Sequence, residues 1–249
     1  MIRDKDRGDF LRMMDEWIRS GAISLDAQPV VSLRQGIPSH LEALTRIKKC
    51  PPGGFIVKFE EHRIINVLDR YVVQFVCEYL SAHLDSPKIF VNISGQSLSE
   101  NGKFAAYIQK QLTHFDVNPN RLGLEITERI VIGDDASTAS FLGYMRALGI
   151  AIAADDFGVG KLTLENLSSI RFEIVKIDGR FIRGIVSDNA QIARECLADT
   201  IGMIGSAHAR DALVVAEHVE TETLLNIVKK LGADYVQGWH TGKPSPLII

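Results

Sequence analysis

At 249 residues, 46% of them hydrophobic, the chain is long enough to bury one sizeable core, and α/β barrels run to this length as single domains. A net charge of −3 and a pI near 6.2 exclude the basic excess of a scaffold for long nucleic acid. Three widely separated cysteines (Cys50, Cys77, Cys196) exclude a disulfide framework and a paired-cysteine zinc site and fit the reducing cytoplasm.

An amphipathic helix over about Asp9 to Arg19 opens the chain. No apolar run approaches the ~18 residues of a membrane span, and the N-terminus is charged throughout, unlike a secretory signal. The reading is therefore a cytoplasmic domain, compatible with a membrane-tethered parent protein.

Apolar, strand-like runs then alternate with helix-period stretches. Strands are expected near 23–33, 40–47, 88–95, 121–128, 150–157, 173–178, 213–217 and 234–238, with helices in most of the longer gaps. Strand then helix, repeated without a break in composition over 1–249, predicts one α/β domain: a modified TIM-like (β/α)8 barrel. The first two strands are separated only by Arg34 to Ser39, too short for a helical crossover, so they should pair antiparallel. The turn from Lys48 to Gly54, with its two prolines and two glycines, is the strongest local breaker and reads as a loop.

Several strands start apolar and end polar. Glu125 and Glu128 close one, Asp155 and Asp156 another, Glu217 and Glu220 a third; similar runs deliver Asn92, Lys176 with Asp178, and Gln237. One acid at a strand end is most simply a solvated terminus. Repetition around a barrel points instead to a bound divalent metal, because buried carboxylates need a counter-charge. These positions are the C-terminal strand ends, where barrel enzymes place their chemistry. By strand alternation Lys176 and Asp178 share a face with Ile174. A lysine in a barrel also admits a second chemistry, a Schiff-base lyase or aldolase, which leaves the acids unexplained.

Glu42, Ala43 and Leu44 form a Glu-Ala-Leu tripeptide, followed at Arg46 by an arginine. With Gln28-Pro29 on the first strand, Val91-Asn92-Ile93-Ser94, Glu125-Ile126-Thr127-Glu128, Asp155-Asp156-Phe157-Gly158, Lys176-Ile177-Asp178, Glu217 and Glu220, and Gln237-Gly238 in order, nearly the whole chain resembles the EAL domain family of cyclic di-GMP phosphodiesterases. The resemblance implies a barrel with one antiparallel strand near its N-terminus, agreeing with the short first connection. It also implies metal-dependent hydrolysis of cyclic di-GMP to linear pGpG in bacterial second-messenger signalling, with two Mg²⁺ or Mn²⁺ ions as cofactors and Ca²⁺ inhibitory. Glu42, Asn92, Glu125 and Asp155 would hold the first ion, and Asp155, Asp156 and Glu217 the second. Lys176, with Glu42 and Glu217, would be catalytic, the lysine orienting the attacking water. Gln28, Arg46, Asp178 and Gln237 would contact substrate; Glu128 would anchor the loop after the Asp-Asp pair, and Glu220 would act as a secondary polar contact. A homodimer is implied as well, and a longer parent carrying sensor or cyclase domains.

The loop after the Asp-Asp pair departs from the family pattern. Val159, Gly160, Lys161, Leu162, Thr163 and Leu164 stand where Thr-Gly-Tyr-Ser-Ser-Leu is usual, and His218 replaces a glycine between two acids. The alternative this raises is a catalytically weak or inactive receptor for the same dinucleotide. Retention of every metal-binding acid favours the enzyme.

Overall fold

The computed structural model describes residues 7–48, 50, 55–100, 102–127, 136–159 and 171–249. Helix α1 (Arg7–Arg19) precedes strands β1 (Ile23–Ser32) and β2 (Pro38–Ile47). These two pair antiparallel, from Ile23 opposite Ile47 to Val31 opposite Pro38, with a register shift between Val30 and Val31. Their short connection permits nothing else.

Strands β3 (Lys88–Ile93), β4 (Leu122–Thr127), β5 (Ala151–Phe157), β6 (Ile174–Ile177), β7 (Leu213–Ala216) and β8 (Tyr235–Val236) follow, each parallel to its predecessor. β1 pairs antiparallel with both β2 and β8 and closes the barrel, so β1 is its reversed strand. A two-residue strand that the sequence did not announce, β9 (Ser245–Pro246), lies against Asp26 and Ala27 of β1.

The helices cover the outside. Between β2 and β3 lie α2 (Ile56–Glu61) and α3 (Ile65–Ala82); α4 (Gly95–Leu98) and α5 (Lys103–His114) precede β4, and α6 (Ala136–Ala147) precedes β5. After β6 come α7 (Gly179–Gly184) and α8 (Ala190–His208), and α9 (Glu222–Leu231) joins β7 to β8. Four of these helices start at side-chain caps, with Ser94, Asp178, Asn189 and Thr221 accepting otherwise unpaired first-turn N–H groups. α3 turns a stripe of Ile65, Leu68, Val72, Val76 and Leu80 inward, at helical spacing, and this face joins the main apolar core between strands and helices.

A smaller apolar cluster fills the barrel itself: Val30, Phe90, Ala153, Ile174 and Val215, with Tyr235 against it. His40 packs tilted against Phe90, ring centres 4.8 Å apart, and sits edge-on to Tyr235 at 5.5 Å, completing the floor. Burial and the neighbouring Lys176 and Lys88 lower its pKa to about 4, so the ring is neutral and acts as packing. Because strand side chains alternate faces, the residue two places beyond each floor residue again points inward, one layer higher. Asn92 lies above Phe90, Asp155 above Ala153, Lys176 above Ile174, Glu217 above Val215 and Gln237 above Tyr235; on reversed β1, Gln28 lies above Val30. The strand pattern thus changes from apolar to polar at one level of the barrel.

Three expectations lie outside the described residues in whole or part: Glu128, the loop Gly160 to Leu164, and most of the turn between Lys48 and Gly54.

Candidate active site

Lys176 is the centre of the polar layer. It is 1% exposed, and its Nζ lies 2.7 Å from Glu125 Oε2, 2.9 Å from Asp155 Oδ1, 3.0 Å from Glu217 Oε1 and 3.1 Å from Glu42 Oε2. The four acids come from β4, β5, β2 and the residue just past β7, so only barrel closure brings them together. Glu42 is held further by Asn92 Nδ2, donating to its Oε1 at 3.0 Å, and by Gln237 Nε2, donating to its Oε2 at 2.6 Å. Gln237 also donates to Gln28 Oε1 at 3.4 Å, and Gln28 Nε2 to the Gly242 carbonyl at 3.1 Å.

The charges do not balance. Burial works against an ionised lysine, but Asp155, Glu125, Glu217 and Glu42 together raise the Lys176 pKa well above its ordinary value. Burial would likewise raise Glu42, yet Lys176 and the Gln237 and Asn92 hydrogen bonds outweigh it, and its pKa is lowered. Glu125 is pushed well above the usual range by burial and then by the Glu42 charge, against the pull of Lys176. Burial raises Glu217 to about 8 despite Lys176, with Asp155 and Glu42 adding to the effect. One ammonium cannot neutralise so many carboxylates, and the excess is relieved by binding protons.

A divalent cation would relieve it better. Asp155, Asp156 and Glu217 each present an oxygen within 4.8 Å of the others, and Glu125 Oε1 is buried without a hydrogen-bond partner among the described residues. An all-oxygen donor set of carboxylates with one amide suits hard ions such as Mg²⁺ or Mn²⁺. Asp156 adopts a left-handed backbone, φ 56°, so its side chain leaves the alternation of β5 and both members of the Asp155–Asp156 pair can serve one cleft. That cleft, of about 270 Å³, is lined by Gln28, Glu42, Asp155, Lys176, Glu220 and Trp239 among others.

Two predicted contacts do not line that cleft. Arg46 bonds Asp26, Nε to Oδ2 at 2.8 Å, and lines a neighbouring, more apolar cleft of about 400 Å³ that also reaches Asn92 and Asp155. β6 ends at Ile177, so the alternation does not carry Asp178 inward as expected; its carboxylate caps α7, accepting from Arg180 N at 2.7 Å and pairing with Arg180 Nε at 3.2 Å. Asp178 is not among the residues lining the cleft.

Sequence reasoning missed Asp69, which accepts hydrogen bonds from Ser94 N, Ser94 Oγ and Ser97 Oγ at 3.0, 2.6 and 2.7 Å and ties down the turn just after Asn92. A lone acid on the buried stripe of α3 was the available signal. It also missed Trp239, exposed at the cleft's edge.

Fold and site together define a TIM-type barrel with an acidic, oxygen-rich cluster, able to hold a cation, at the C-terminal ends of its strands. The chain belongs to the EAL domain family, whose model matches residues 11–244. Among its relatives, it is 28% identical to the cyclic di-GMP phosphodiesterase PdeF of Escherichia coli (strain K12), over 98% of this chain and 33% of that one. It is 29% identical to the cyclic di-GMP phosphodiesterase PdeB of Shewanella oneidensis, over 84% of this chain and 24% of that one. The chain spans about a third of the length of the first curated relatives it matches. Among solved structures, the PaMucR phosphodiesterase in its c-di-GMP complex superposes with a TM-score of 0.87 at 26% identity, covering 96% of this chain and 98% of that one. The EAL enzyme Bd1971 in its cAMP- and cyclic-di-GMP-bound form also reaches 0.87 at 26% identity, covering 97% and 67%.

Proposed function

We propose that this chain hydrolyses cyclic di-GMP to linear pGpG. The observation that carries the reading is Lys176 Nζ within 3.1 Å of the carboxylates of Glu42, Glu125, Asp155 and Glu217 at the base of an open cleft. Similarity to named cyclic di-GMP phosphodiesterases and to c-di-GMP-bound EAL structures supports the choice of substrate.

Glu42, Asn92, Glu125 and Asp155 would hold one Mg²⁺ or Mn²⁺, and Asp155, Asp156 and Glu217 a second. Such a pair supplies cancellation of charge on the phosphate oxygens and a hydroxide-like nucleophile at neutral pH. The chain's own part is positional. Lys176, held protonated by its carboxylates, donates a hydrogen bond that orients the attacking water. Attack forms a new P–O bond, the P–O3′ bond breaks in line, and a proton passes to the leaving 3′-oxygen. Gln237 and Asn92 keep Glu42 aimed at the cleft throughout. The raised pKa of Lys176 opposes the Schiff-base alternative, which needs a neutral amine at working pH.

The test is to incubate the purified chain with cyclic di-GMP and Mg²⁺ or Mn²⁺ and to separate the products by chromatography. Accumulation of pGpG, absent in excess chelator and in Asp155→Ala, is the expected result. Tight binding without turnover would replace the enzyme by a receptor, and no binding would reject the reading. In a longer parent, the site would act under separate input domains and as a homodimer. No helix among the described residues is long and apolar enough to cross a membrane.

A further inference from the structure

Trp239 is 62% exposed, although it lines the same cleft as Glu42, Asp155 and Lys176. An isolated exposed apolar residue needs no explanation. This one is held in place by its backbone on both sides. Val219 N donates to the Gln237 carbonyl at 3.0 Å and His240 N to the Val219 carbonyl at 3.2 Å, locking the turn onto the segment that carries Glu217 and Glu220. Thr241 N and Gly242 N both return to the Gly238 carbonyl, at 3.1 and 3.0 Å. Gly238 is obligatory here, because a Cβ would fall 2.1 Å from the Val219 carbonyl oxygen. Past the turn, the Gly242 carbonyl accepts from Gln28, one of the residues in the cleft. The indole therefore projects from a fixed turn whose hydrogen bonds lead back to the acidic centre.

Lys243 places its Nζ 5.3 Å from the centre of the indole ring. A planar aromatic with a cation beside it, next to a site that draws in a phosphodiester, has the parts of a nucleobase platform: a stacking surface and a charge for the purine's acceptor edge or its phosphate. The layout of the clefts agrees. The Trp239 cleft and the more apolar one lined by Phe55, Leu68 and Val72 share Leu44 and Asp155, so they open to either side of the acidic centre. A cyclic dinucleotide has one purine for each side.

We infer that Trp239, supported by Lys243, is the stacking platform for one purine base of the cyclic dinucleotide and sets the affinity of this chain for it. The inference rests on the phosphodiesterase reading. A platform that meets the base equally in ground and transition states changes KM and leaves kcat alone.

The experiment compares the parent chain with Trp239→Ala, Trp239→Phe and Lys243→Ala, using cyclic di-GMP as the probe. Binding is measured by calorimetry with Ca²⁺ present and turnover with Mg²⁺. Loss of a stacked base should weaken binding and raise KM by roughly ten- to a hundredfold in Trp239→Ala, with kcat unchanged and the melting temperature preserved. Trp239→Phe should recover most of the affinity, and quenching of indole fluorescence on titration should be smaller in it than in the parent, Trp17 being the remaining indole. An unchanged KM in Trp239→Ala overturns the inference, as does a Phe variant as weak as the Ala variant. A parent that neither binds nor cleaves the dinucleotide rejects the activity itself, a result distinct from a parent that works and is indifferent to Trp239.

Discussion

Lys176 Nζ lies 2.7 Å from Glu125 Oε2, and the two side chains are 1% and 0% exposed. Each is buried for the other, and the other three carboxylates complete the lysine's surroundings. Lys176 is the cation that all four carboxylates share, so removing it leaves buried negative charge uncompensated, which costs about 3–5 kcal/mol. Lys176→Met keeps the volume and removes the charge, so the metal-free protein should melt markedly lower, with saturating Mg²⁺ recovering much of the loss. Turnover should fall by orders of magnitude while substrate affinity stays within about tenfold, since orienting the water matters mainly in the transition state. Equal losses of affinity and rate would make Lys176 a phosphate anchor.

Two neighbouring glutamates should respond oppositely to neutralisation in chelator. The ionised form of Glu42 is favoured by Lys176, Gln237 and Asn92, so Glu42→Gln should lower the melting temperature at pH 8. Glu125 has its ionised form disfavoured by burial and the Glu42 charge, so Glu125→Gln should hold or raise it. The order should disappear with Mg²⁺ or Mn²⁺, which the parent should bind with a rise in melting temperature and which neither variant should bind as tightly. Identical behaviour of the two variants in chelator would refute this division of charge.

Much of this site was legible in the sequence because strand alternation is local. Ile174 followed two places later by Lys176, or Ala153 by Asp155, places a polar residue over an apolar floor whatever the rest of the barrel does. What the sequence could not place needed the partners' positions. Arg46, read as a phosphate contact, also pairs with Asp26, which lies diagonally across the β1–β2 ladder, where Leu44 faces Asp26. Asp178 reads as an inward strand residue until β6 stops at Ile177 and the next carboxylate becomes a helix cap. The role of Asp69 depends on serines 25 and 28 residues away along the chain.

Asp69 gives a pH signature away from the acidic centre. Burial raises its pKa from 3.8 to about 6, although Ser94 and Ser97 hydrogen bonds hold it down. The folded value lies above the unfolded one, so protonation stabilises the fold: that contribution is full below about pH 3.8 and is lost as pH rises through about 6. A two-unit difference corresponds to about 3 kcal/mol across that window. Asp69→Asn should therefore flatten the stability profile between these pH values, measured by denaturant unfolding in chelator. An unaltered slope would show that Asp69 ionises normally in the fold.

The last prediction concerns His218, which stands where the resembled family usually has glycine and adopts φ 53°. The left-handed backbone costs a non-glycine residue about 1–2 kcal/mol, so His218 is retained here against local strain. Its imidazole lies directly over Gly179, the first residue of α7, where a Cβ would come 2.3 Å from His218 Cδ2 and 2.6 Å from Arg183 Nη1. Gly179→Ala should therefore destabilise the fold by about 1–3 kcal/mol through overpacking. His218→Gly should be close to neutral, since relief of backbone strain offsets the greater freedom of the unfolded chain. Two of the three atoms nearest the added methyl belong to the imidazole and the third to Arg183, a flexible side chain that can move, so the double variant should be much more stable than the sum of the single effects. Equilibrium unfolding of the four proteins gives the coupling directly. Strict additivity would mean that the imidazole does not confine Gly179, and that another contact makes glycine necessary at the start of α7.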